Sequence, residues 1–180
     1  MNFKIYILCL VFAACTNSEQ ETSSIATKAD DSTEEGVDLA EVRKDLISSY
    51  SNPIVIDSSF YWEDTLYKVK FTHFSTMDSG LTVPSLYNFD TNKNFVTHNF
   101  ISKLFIVKDA DTILTREITK QTFKEYLRPE LDSYATLRFA NFYIQGDTIK
   151  LSYSLSIPVT DVGIHVEVRF DTKGYSNISN

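Results

Sequence analysis

Cysteine is nearly missing from this 180-residue chain: Cys9 and Cys15 are the only two, and both fall in the first fifteen residues. Whatever folds after them does so without a disulfide, which excludes a cysteine nucleophile, a thiolate zinc site and a redox dithiol together. Glycine is scarce too, at 5 residues, so neither a collagen-like repeat nor a glycine-rich phosphate cradle is available. Basic residues are outnumbered, 17 against 24 acidic, for a formal net charge of −7. Such a balance argues against a nucleic-acid partner. The apolar run Ile5 to Phe12 is too short to span a bilayer.

That short run is informative in its place. Lys4 precedes it, and Ala13-Ala14 follow it just before Cys15, the pattern of a bacterial lipoprotein signal. A lipoprotein peptidase needs small side chains before the cut and a diacylated cysteine thiol after it. Phe12 stands where leucine is usual. The expectation is a signal peptide over 1–14, lipidation at Cys15, and a palmitate-bearing protein held in the cell envelope, at the outer membrane, on a face the sequence does not specify. Cys9 would leave with the signal, and the loss of Lys4 takes the charge to −8.

From Cys15 to Gly36 large apolar residues almost vanish and acidic and hydroxyl residues dominate. Such a segment buries too little to offset its chain entropy and reads as a disordered acidic tether over 15–36, with an r.m.s. reach of about 25 Å. A calcium role is the lesser reading, because no loop-closing glycine pattern accompanies the carboxylates.

The remainder, 37–180, reads as one β-rich domain. Aromatics reach 13% and sit beside Val, Ile and Thr in short runs, the composition of strands. Asp38 is placed to cap a helix through Leu39, Val42, Leu46 and Ile47, with Pro53 closing the segment. Phe60 to Phe74 alternates as one half-buried strand, Tyr67, Val69, Phe71 and His73 on one side. Ser75 to Asn99 is a long connection with a short strand at Tyr87 to Phe89. Ile101–Val107 and Thr112–Ile118 form a hairpin, Thr119 caps a short helix ended by Pro129, and strands follow at 136–144, 148–157 and 164–170. The expected fold class is α+β and β-rich: an antiparallel sheet or two-layer sandwich with one or two short helices.

Chemistry is harder to find. His73, His98 and His165 are far apart and lack ligand spacing, so no metal site, no cofactor and no catalytic residue is assigned. Ser102 and Ser154 read as strand positions, and Glu63-Asp64 and Asp109/Asp111 as turn residues. The best contact candidates are Tyr61 and Trp62, which alternation sends to opposite faces, so that one aromatic can stack on a sugar ring or anchor a protein. Against that stands a sandwich with both faces partly buried, the reading preferred here.

The runs Tyr61 to Val69, Asp109 to Leu127 and Leu151 to Asp161 resemble a family of small Bacteroidetes lipoproteins classed as a domain of unknown function. The resemblance covers roughly Phe60 to Gly174, departs from it around Val162-Gly163, and implies an envelope location and a single domain. It brings no catalytic residue. The combined expectation is a non-enzymatic binding or assembly module, its partners the lipid bilayer through acylated Cys15 and a protein or glycan. The alternatives are an envelope hydrolase, for example carbohydrate-active, and a structural envelope component.

Overall fold

The computed structural model describes residues 38–88, 93–174 and 176–180. The expected signal, the lipidation site Cys15 and the tether lie outside the described residues.

Helix α1 (Leu39–Ser49) begins where Asp38 accepts hydrogen bonds from the Ala40 and Glu41 N–H groups at 2.9 and 3.4 Å. Two donors that a helix start leaves open are thereby satisfied. Leu46 is its buried residue.

The expected single strand over Phe60–Phe74 is corrected to a hairpin of β1 (Ile54–Trp62) and β2 (Thr65–Ser75). Glu63 and Asp64, at φ 48° and 59°, make the two-residue turn, with Trp62 opposite Thr65. Core-packed residues are even-numbered in β1 (Ile56, Phe60) and odd-numbered in β2 (Tyr67, Val69, Phe71), and this phase shift is the trace the turn leaves in the sequence.

The long connection holds β3 (Leu81–Val83) and β4 (Phe95–Thr97), paired with each other, and a 3-10 turn at Ser85–Tyr87. The strand expected at Tyr87 is not there. Pro84 accepts the Tyr87 N–H at 2.9 Å and winds the chain, while Phe89 lies outside the described residues. Next come β5 (Phe100–Lys108) and β6 (Asp111–Ile118), joined by a turn with Asp109 at φ 52°. After Thr119 the helix is a 3-10 segment, Lys120–Tyr126, whose start is tied by the Thr119 N–H donating to Thr122 Oγ1 at 3.0 Å. Pro129 opens a second helix, α2 (Pro129–Tyr134), at a position where a missing N–H costs nothing. Strands β7 (Thr136–Gln145), β8 (Thr148–Ser156) and β9 (Gly163–Asp171) match expectation, and a short β10 (Ser176–Ser179) adds to them.

Apart from the β3-β4 pair, the strands form two open antiparallel sheets, β1-β2-β5-β6 and β10-β9-β8-β7. Their apolar sides meet, Phe71 of β2 lying 4.7 Å from the Phe139 ring of β7. Val69, Phe71, Leu104 and Ile106 from one sheet and Leu151, Tyr153, Leu155 and Val168 from the other are almost wholly buried. Each such side chain contributes about 1.5–3 kcal/mol by burial. The outer strands differ. β6 carries an unpaired extra residue, Ile113, β7 carries Ala140, and β10 is four residues long, whereas β1 keeps regular register through nine residues.

Candidate ligand cleft and a buried histidine

The chain between β2 and β3 is held open as a polar lip. Asp78 accepts from the Gly80 N–H (2.9 Å), the Asn99 N–H (3.1 Å) and Asn99 Nδ2 (2.9 Å). Burial raises the Asp78 pKa, but the hydrogen bonds from Asn99, Gly80 and Thr76 outweigh it and hold the carboxyl well below the usual carboxylate range. The Ser79 N–H donates to His98 Nδ1 at 2.8 Å, which puts a neutral His98 proton on Nε2. A side chain at Gly80 would sit 2.7 Å from Asn99 Nδ2 and 2.8 Å from Asp78 Oδ2, so glycine is what permits the approach.

This lip borders a cleft of about 460 Å³. Across it stand Thr119, Lys120 and Gln121, with Ser133 of α2, over an apolar floor of Leu81, Phe100, Ile101 and Leu137. Lys120 Nζ donates to the Asp132 carbonyl at 2.7 Å. Burial lowers the Lys120 pKa, and the Asp132 charge partly restores it. The arrangement offers a carboxylate, an ammonium, amides and hydroxyls on a partly apolar base, the mixture that small-molecule sites use to orient a ligand.

Phe100 also faces the other way. Its ring stacks on His73, centroids 5.4 Å apart at 11°. His73 Nδ1 lies 2.9 Å from Ser102 Oγ. Burial, aided by the Arg138 charge, pushes His73 down to about 4. The cavity lined by His73, Phe100 and Arg138 is only about 80 Å³. Tyr153, whose pKa burial raises against a smaller opposing effect of Ser102, brings its hydroxyl toward Ser102 without reaching hydrogen-bond geometry. Ser102 has no exposed surface. A serine–histidine contact is present, then, without room beside it for an acyl group.

The contact candidates are placed apart from this cleft. Tyr61 is 73% exposed, and Trp62, 36% exposed, lies over the β7–β8 turn, 3.4 Å from where a side chain at Gly146 would begin. Phe60 stacks on Tyr67 at 5.2 Å on the inward side. Glu63, Asp64 and Asp109 all occupy left-handed turn positions. His165 is exposed on β9, far in role from the buried His73. Among the described residues no three His, Cys, Asp or Glu side chains converge as a metal site would need. The cleft itself was not legible: Asp78, Asn99 and Lys120 are brought together by loops, and only the Asp-Ser-Gly turn signal at 78–80 marks any of them.

A family model described as Domain of unknown function (DUF4738) matches residues 37–178. Among curated proteins none matches the chain.

Proposed function

This chain belongs to the DUF4738 family, a domain of unknown function, and on that premise we propose that it is a lipid-tethered binding module of the cell envelope whose ligand seat is the cleft between Asp78 and Lys120. The cleft is the observation that carries the reading. Its size lies within the range of small-molecule sites, and its lip is prefixed by hydrogen bonds, so binding need not order it. Opposite charges beside amides and hydroxyls favour an uncharged, hydroxyl-rich ligand, such as a few units of a glycan, over an ion of either sign. The anchor is supported by the sequence alone, through Ala13-Ala14-Cys15. Supporting binding rather than hydrolysis, Ser102 is sealed and the space beside His73 would hold little more than water.

The test is a titration of the full chain with oligosaccharides, followed by NMR or calorimetry, in parallel with Lys120→Gln and Asn99→Ala. Saturable binding weakened about tenfold or more by Lys120→Gln is expected. Turnover of a glycan would favour the hydrolase reading, and no binding at millimolar ligand would remove the glycan reading.

A further inference from the structure

We infer that the edge of β1, which no strand among the described residues pairs, is a pairing surface for the β1 of a second copy of this chain, antiparallel and centred on Ser58. The argument begins with how sheet edges are kept inert. Natural edges are blunted by bulges, by short strands, or by inward charges, because an open ladder recruits another strand. Here β6 and β7 are bulged and β10 is short, whereas β1 is long, regular, and carries exposed Val55 and Tyr61 at 68% and 73%.

The direction of the free backbone groups follows from the turn. In a two-residue hairpin the flanking pair, Trp62 with Thr65, exchanges hydrogen bonds, so Trp62 and every second residue before it bond inward to β2. Val55, Asp57, Ser59 and Tyr61 therefore turn their N–H and C=O groups to the open side. A two-fold axis through Ser58 pairs this same set with itself: Val55 with Tyr61 of the second copy, and Asp57 with Ser59 of the second copy. Each such pair can exchange both of its hydrogen bonds, and the two exposed apolar side chains cover each other. Shifting the axis by one residue, to Asp57, would set Asp57 against Asp57 of the second copy, a like-charge contact that costs stability. Pro53, with no N–H, ends the ladder just outside β1. The sequence is thus self-complementary about Ser58 and penalised about Asp57, while an axis at Ser59 would set Val55 against Glu63 of the second copy's turn and leave the two apolar side chains uncovered.

At the axis, Ser58 would meet itself as a non-hydrogen-bonded pair, with Cα atoms about 4.5 Å apart, within disulfide reach. In full chain with Cys9→Ser and Cys15→Ser, Ser58→Cys should oxidise to a covalent dimer several-fold more than Thr115→Cys on the exposed side of bulged β6. Sedimentation of two surface variants in the same background gives a second reading that needs no thiol. Ser59→Asp, which places two carboxylates against Asp57 on both sides of the axis, should weaken association about tenfold, while Ser59→Lys should retain or strengthen it. Equal cross-linking of the two cysteine variants would overturn the proposal. So would a monomer in both Ser59 variants and the parent, or an assembly larger than two.

Discussion

A neutral ring sealed among aromatics makes His73 the residue most exposed to acid. Its folded pKa, about 4, lies below the unfolded value near 6.5, so the folded state refuses a proton that the unfolded chain accepts. Nothing is lost above pH 6.5; stability then declines as pH falls toward 4, by about 3 kcal/mol at most. Urea unfolding at pH 7 and at pH 4.5 should show that decline, and His73→Gln should flatten it. Asp78 acts in the same sense but later, its depressed pKa adding stability that is lost as pH falls through the ordinary carboxylate range and below it. Two substitutions beside His73 separate partnered from unpartnered hydroxyls. Ser102→Ala leaves the buried imidazole without its 2.9 Å partner and should cost about 1–3 kcal/mol, while Tyr153→Phe removes a hydroxyl that has no hydrogen bond and should change stability by less than about 1 kcal/mol. Thermal melts of the two variants decide it.

Turns explain most of what could and could not be read in advance at the level of elements. Asp38 announced α1 because a cap is a local interaction, and the β5–β6 hairpin announced itself through two β-rich runs around Asp109. The β1–β2 hairpin was only half legible: Glu63-Asp64 suits a turn, but it carries no glycine and the apolar alternation resumes at once in the opposite phase, so the run over Phe60–Phe74 still reads as one strand. Pro129 is ambiguous in principle, since proline both ends helices and begins them. Tertiary contacts left no trace at all: the cleft is assembled from residues such as Asp78 and Lys120, more than forty positions apart. Where a turn does need its residue the effect is measurable. Gly146 has φ +61° and lies against the Trp62 ring, so Gly146→Ala should lower stability by about 1–2 kcal/mol, read from denaturant midpoints.

For the molecule as a whole, the test of the anchor is Cys15→Ser, which should abolish palmitate labelling of cells expressing the chain and release it from the membrane fraction. Label that persists would remove the lipoprotein reading. The apolar meeting of two sheets, with Phe71, Leu104, Tyr153 and Phe170 buried, supplies the fold's cohesion, so melting should be unchanged by chelator or reductant. A midpoint moved by several degrees would reveal a bound metal.

The extra residue in β6 has a consequence for solubility. Ile113 bends the edge strand β6, which would otherwise be free to extend the ladder to a further strand, so that among the described strands a molecule offers its neighbours one straight edge and not two. Association through a single straight edge is finite and saturates; association through two propagates. Deleting Ile113 would realign β6 and give each molecule a second template strand, turning a bounded particle into a growing ribbon. Light scattering that rises over hours for the deletion variant, and stays level for the parent at the same concentration, would mark that one surplus residue as the guard against fibre growth.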